Sequence, residues 1–173
     1  MVKLTNGNVT LREFKPDDKY RLAELANNPK IAVNLRDGFP HPYHLSDAEN
    51  FLEKFANQES ALVLAIEYNG EYVGNIGLYK ATDVYRKSAE IGYFLGESYW
   101  NLGIMTKAVN LICEYGFANL DIVRIHAGIF SFNPASMRVL EKCGFKREAV
   151  FEKAIIKEGK IYDEVRYAKI IDF

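Results

Sequence analysis

Cysteine is scarce in this chain of 173 residues, which carries only Cys113 and Cys143. Both sit among apolar residues in helical or helix-end contexts, so they read as free buried thiols of a reducing compartment rather than a disulfide staple. Long apolar runs are missing as well. The longest, Ala61 to Ile66, has six residues, against the ~20 that a membrane helix needs. Met1 to Gly7 lacks the apolar stretch of a signal peptide, and a soluble, cytoplasmic protein without a membrane partner is therefore expected. Charge of one sign is absent too: 22 Lys and Arg against 23 Asp and Glu leave a net charge of −1. With no dense basic block, no nucleic-acid partner is expected. The three histidines, His41, His44 and His126, and the two scattered cysteines show no metal-ligand spacing, so no metal is expected.

What is present is an ordinary globular composition, 49% hydrophobic and 26% charged. At this length area scaling has about 70% of the unfolded surface buried on folding. No repeat, linker or Ser/Gly-rich stretch divides the chain, which reads as a single domain over 1–173. Val9 to Phe14 alternates as a strand, and Pro16 suits the first turn of a helix running to about Asn27. Ser46 and Glu49 have capping-box spacing, predicting a helix from Asp47 to Asn57. The Pro- and Gly-bearing segment Asn34 to Tyr43 between these helices reads as a binding-type loop.

From Ala61 the period changes. Ala61–Tyr68 and Glu71–Tyr79 flank Asn69-Gly70, the dipeptide of a type I′ hairpin. Ser88–Leu95 follows as a strand, then a loop Gly96 to Gly103 and a helix from about Ile104 to Asn119. Val123 to Phe130 returns to strand. Asn133-Pro134 opens a short helix that Cys143-Gly144 stops, and the tail pairs as two long strands around Glu158-Gly159. The order is βααβββαβαββ. Its strand–helix–strand unit predicts a parallel pair, Ser88–Leu95 with Val123–Phe130, and ligand space at the carboxyl ends of those strands.

Two segments face that space. Trp100 to Ala108 turns from loop into helix, leaving backbone N–H groups free at the positive end of the helix dipole, where a pyrophosphate binds. An ordinary strand-to-helix connection is the alternative. In the second segment, Asn133 and Ser136 are a helix cap and a first-turn residue, or else line the same crevice.

Together these segments resemble the GCN5-related N-acetyltransferase (GNAT) superfamily, and within it the RimJ/RimL-type ribosomal-protein N-terminal acetyltransferases. The matching residues are Val9-Thr10-Leu11-Arg12 with Pro16-Asp17-Asp18, Ala89-Glu90-Ile91-Gly92-Tyr93, Tyr99-Trp100 with Gly103-Ile104, and Tyr115-Gly116-Phe117. Asn133 with Ser136, Leu140 to Phe145, Tyr162-Asp163-Glu164 and Tyr167 complete the set. The resemblance implies an α+β GNAT fold, a mixed, mostly antiparallel twisted sheet whose central parallel pair splays to hold acetyl-CoA, with helices on both faces. It implies acetyl-CoA as cosubstrate, its pyrophosphate at the amides of Leu102, Gly103, Ile104, Met105 and Thr106, its pantetheine beside Phe94 and Leu95, with Asn133 in contact and Ser136 near the sulfur. It places Arg36, His41 and Tyr43 in the acceptor wall, with loop anchoring as the alternative. The chain departs from the family's small and cationic loop residues at Asn101, Leu102 and Met105.

An amine attacking a thioester must lose a proton, which costs roughly 4 kcal/mol at pH 7.5 for a lysine amine and well under 1 for an α-amine. Glu90, flanked by Ala89 and Ile91, is the expected base, directly or through water, its pKa raised by partial burial; a salt-bridged strand residue is the alternative. Ser136 is expected to assist the leaving thiolate and backbone N–H groups near Leu95 the oxyanion. Tyr93 points to the opposite strand face and reads as core, and His126 as a structural imidazole. The function expected is acetyl transfer to a primary amine, foremost a protein or peptide N-terminal α-amine, in a ternary complex. Polyamine or antibiotic-type acceptors, or an acyl-CoA-binding regulatory module, are the alternatives. A homodimer is compatible with the sequence.

Overall fold

The computed structural model describes residues 1–55 and 61–172. Its strands are β1 (Lys3–Asn6), β2 (Val9–Arg12), β3 (Ala61–Tyr68), β4 (Glu71–Lys80), β5 (Ser88–Leu95), β6 (Arg124–Phe130), β7 (Lys146–Lys157) and β8 (Lys160–Ile170). The helices are α1 (Asp18–Ala26), α2 (Pro29–Ala32), α3 (Leu45–Phe55), α4 (Ile104–Asn119) and α5 (Pro134–Lys142). The strands make one sheet in the order β1-β2-β3-β4-β5-β6-β8-β7. Each neighbouring pair is antiparallel except β5 and β6, which run parallel. No helix among the described residues is long and apolar enough to cross a membrane.

Alternation decides which side chains each layer receives. On one face Ala89 and Ile91 of β5 and Ile125 and Ala127 of β6 pack with Ala108, Val109 and Ile112 of α4, Leu140 of α5 joining them. On the other, Phe94 joins Leu22 and Ala26 of α1, Ile31 of α2 and Ala48 of α3. Strand β4 is covered on both sides, and Tyr72 to Leu78 is buried throughout. Arg12 ties the second layer down: it holds Asp18 through both Nη atoms at 2.7 and 3.0 Å, and Glu67 through Nε at 2.6 Å.

Local chemistry moved several boundaries. Strand β1 precedes the first expected strand because Lys3 to Asn6 folds back on Val9 to Arg12, pairing that the short polar segment does not advertise. Helix α1 starts at Asp18, not Pro16, since the Asp18 carboxylate accepts the Lys15 N–H at 2.7 Å and closes the turn there. Helix α2 was not expected; the Asn28 side chain caps it from Lys30 N at 2.9 Å, with Pro29 at its first position. The Ser46 and Glu49 box is not the one used. Asp47 accepts the His44 N–H at 2.7 Å, so α3 begins at Leu45, while Glu49 binds Lys19. The predicted end of that helix, Asn57, lies outside the described residues. The cysteines are free and buried as expected, and burial pushes the Cys113 thiol up to about 12.

Candidate active site

The parallel pair opens after three residues. Its register is Ser88↔Arg124, Ala89↔Ile125 and Glu90↔His126. Beyond it, β5 stays on β4 as far as Leu95↔Gly74 and β6 stays on β8 as far as Phe130↔Glu164. Each strand follows its own antiparallel partner, so the sheet parts between Gly92–Leu95 and Gly128–Phe130. A cavity of about 640 Å³ fills the gap. It runs from the start of α4 through the parted strands to Ile31, Asn34 and Leu35 on the opposite face.

One end of the cavity is a helix N-terminus. Gly103 lines it with φ +74°, and an added Cβ there would meet nothing within 4 Å. The first backbone bond onto this turn is Lys107 N to Gly103 O at 3.3 Å. The amides of Ile104, Met105 and Thr106 precede that bond and so face outward at the positive end of a 16-residue helix. The Met105 side chain is 8% exposed and belongs to the core, and the residue also lines the cavity at this end. Leu102 is 56% exposed and is not among the lining residues. The Trp100 indole donates to Leu95 O at 2.8 Å, fastening the loop to the end of β5.

Gly103 supports a sharp test. A β-branched residue at this left-handed position is strained and puts side-chain volume where an anion must approach the amides. Gly103→Val is expected to weaken acetyl-CoA binding by at least tenfold with little change in fold; calorimetric titration showing unchanged affinity would move the phosphate site elsewhere.

Midway along the cavity, α5 meets β5. Asn133 caps α5, its Oδ1 accepting Ser136 N at 3.3 Å, and both residues line the cavity. Ser136 Oγ lies 2.7 Å from Tyr93 Oη. Tyr93 packs its ring against the core, as its strand parity requires, but its hydroxyl end reaches the cavity wall, which the parity argument alone missed. Burial pushes the Tyr93 hydroxyl well above its usual value, so it keeps its proton, while the Ser136 bond acts in the opposite sense. Two protonated hydroxyls sharing one hydrogen bond leave one O–H free to donate outward. Phe94 and Leu95 line the cavity beside them.

The other side of the sheet is ionic. Glu90 is not among the lining residues and its side chain is 31% exposed; Arg36 Nη2 donates to its Oε1 at 2.5 Å. The expected partly desolvated carboxylate is thus a charge-matched one, held by the loop that follows α2. That loop is latched by Lys157, which donates to Leu35 O at 2.7 Å and Asp37 Oδ1 at 2.8 Å. Nearby, Arg124 pairs with Glu148 and Arg166 with Glu164. His126 is half-buried, and burial holds its pKa below the ordinary value, so it is neutral near pH 7. Tyr43, expected in the acceptor wall, is instead 5% exposed inside the second core, its ring 5.0 Å from Phe39 and its N–H given to Asn27 Oδ1. An aromatic ring in the Pro-rich loop gains more by burial than by facing solvent, and here burial pushes its hydroxyl up to about 12. His41 stays exposed, outside the cavity lining.

A mixed sheet parted at one parallel pair, with a helix N-terminus at the gap, is the architecture that the GNAT resemblance implies. Residues 8–146 match the acetyltransferase (GNAT) domain family, and the chain belongs to that family. The uncharacterized N-acetyltransferase YoaA of Bacillus subtilis is 35% identical over 170 residues, 95% of this chain and 94% of its own length. Among solved structures, the microcin C7 self-immunity acetyltransferase MccE, in complex with acetyl-CoA and AMP, is 32% identical with a TM-score of 0.82, covering 96% of this chain and 94% of that one. RimL, a ribosomal L7/L12 alpha-N-protein acetyltransferase in complex with coenzyme A, has a TM-score of 0.88 at 22% identity and covers 99% of each chain. The protein is therefore an acetyl-CoA-dependent N-acetyltransferase of RimJ/RimL-like fold.

Proposed function

We propose that the acceptor is the N-terminal α-amine of a peptide or protein. The observation that carries this reading is charge matching on the sheet face away from α4. Glu90 with Arg36, Glu148 with Arg124 and Glu164 with Arg166 each pair one carboxylate with one guanidinium. A polyamine has several cationic centres and is attracted by a surplus of carboxylate, since complementary potential is what selects a charged partner. A peptide end brings one ammonium beside neutral amide dipoles, which a balanced face accommodates. The chemistry agrees: an α-amine near pKa 8 is about one quarter neutral at pH 7.5, so its deprotonation costs well under 1 kcal/mol and asks for only a modest base.

Acetyl-CoA supplies the activated acetyl thioester. The amides of Gly103 to Thr106 hold its phosphates, and the parted strands leave it an extended path beside Phe94 and Leu95. Glu90, once its pairing with the exposed Arg36 loosens, takes the ammonium proton through a water molecule. The Ser136–Tyr93 pair offers a hydroxyl proton to the departing sulfur, and backbone N–H groups near Leu95 face the developing oxyanion. Holding both reactants in one cavity contributes most of the rate, since positioning alone can lower a barrier by about 7–11 kcal/mol.

A panel of amines assayed for coenzyme A thiol release tests the acceptor. Peptides with a free N-terminus are expected to give kcat/KM at least tenfold above spermidine and above peptides blocked at the α-amine that retain a lysine. Equal or better turnover of spermidine would replace this reading by the polyamine one.

A further inference from the structure

Cross-strand pairing puts Glu90, His126, Gly128, Phe130, Glu164 and Arg166 on one face of the sheet, because Glu90 pairs with His126, Gly128 with Arg166, and Phe130 with Glu164. Gly128 lines the cavity where β6 leaves β5. An ideal Cβ at Gly128 would lie 2.6 Å from Glu164 Cδ and 2.8 Å from each of its carboxylate oxygens. Glu164 is not itself a lining residue: its carboxylate stands against Gly128, in the space that any larger residue at 128 would fill, directly beside the cavity wall. Its side chain is 13% exposed.

Its charge is matched, but its hydrogen bonding is incomplete. Arg166 Nε lies 2.6 Å from Glu164 Oε1, yet that Nε is buried without a well-aligned hydrogen bond, while the guanidinium lies over the Phe151 ring at 5.0 Å. Arg166 offsets the charge of Glu164 and leaves acceptor positions on the carboxylate open, of which it has about four. Alongside stands an aromatic row: Phe130 to Phe132 at 5.7 Å and Phe132 to Tyr162 at 4.6 Å between ring centroids, with Phe130 in the cavity wall.

We propose that Glu164 is the specificity-determining residue for the acceptor amine: its carboxylate receives the acceptor's ammonium at the parted strands, and the Phe130–Phe132–Tyr162 row receives the apolar group next to that nitrogen. The inference deepens the acceptor reading above and rests on it. Glu90 and Glu164 then divide the work. Glu164 holds the charged amine in the ground state, and Glu90, on β5 across β6 from it, accepts the proton.

The test separates recognition from chemistry. Glu164→Gln keeps the shape and removes the charge, so KM for a peptide with an apolar first residue is expected to rise at least tenfold with kcat within about threefold, the pattern of lost ground-state binding. Calorimetry with coenzyme A bound gives a second readout. Wild type is expected to bind the free-amine peptide at least tenfold more tightly than its desamino analogue, and Glu164→Gln within twofold of it, with acetyl-CoA affinity unchanged. Discrimination retained in Glu164→Gln overturns the proposal. If Glu164→Gln does not fold, Gly128→Ala takes its place, because the added methyl displaces the carboxylate from the β6 backbone and should cost the same discrimination. If the panel instead shows spermidine as the better acceptor, the α-amine reading fails by itself, and the same pair of variants measured on spermidine and a diol isostere still decides whether Glu164 reads the ammonium.

Discussion

Glu90→Gln is expected to lower kcat/KM for a peptide amine by about 10²–10⁴ at pH 7.5, the usual worth of general acid–base catalysis. The substitution keeps the side-chain shape and a hydrogen-bonding oxygen toward Arg36, so the fold and acetyl-CoA affinity should persist. In the wild type the rising limb of the pH profile reports whichever ionises last, the base or the amine. In the mutant the limb should shift to the amine's own pKa. For an α-amine near pKa 8, going from pH 7.5 to pH 9 takes the neutral fraction from about one quarter to about nine-tenths, so only about fourfold of the loss should be regained. Identical profiles for mutant and wild type would make Glu90 a partner of Arg36 and nothing more.

The second large effect is expected at the hydroxyl pair. Ser136→Ala leaves Tyr93 in place but breaks the 2.7 Å bond between them, and Tyr93→Phe does the same from the other side. If the pair delivers one proton to the departing thiolate, each single mutant should lose about 10²–10³ in kcat with little change in acetyl-CoA KM, since the interaction is made in the transition state. The double mutant should be scarcely worse than either single one, because residues acting as a unit are not additive. The direction of the Tyr93 shift adds a condition. Its hydroxyl is pushed up by burial and stays protonated throughout the working range, so the losses should not vary between pH 6 and 9. Additive losses, or a raised KM with kcat intact, would return Ser136 to a first-turn helix residue.

Most of the fold was legible in the chain because its signals are local. Ser88–Leu95 and Ile104–Asn119 were read with the boundaries the structure shows, since a period of two gives way to one of 3.6 across a single Gly-bearing loop. Asn133-Pro134 and Gly144 bracket α5 by capping chemistry that any sequence-local argument can see. The parallel pair followed from the strand–helix–strand order alone, and the crevice at its carboxyl end followed from the pair.

Only the tertiary structure decided which side chains meet across that crevice. Tyr93 and Ser136 are 43 residues apart, and strand parity assigned Tyr93 to the core without showing that its hydroxyl extends past the core to the cavity. Arg36 and Glu90, 54 residues apart, became partners because a loop with no periodicity of its own is laid over the sheet by Lys157, which comes from a hairpin near the other end of the chain. Glycine carries no pattern, so nothing in the sequence marks Gly128 as the place where the Glu164 carboxylate rests on a neighbouring strand. Periodicity and capping are properties of neighbours along the chain, whereas charge pairing and close approach depend on register between strands distant in sequence, and that register is set only when the whole sheet has formed.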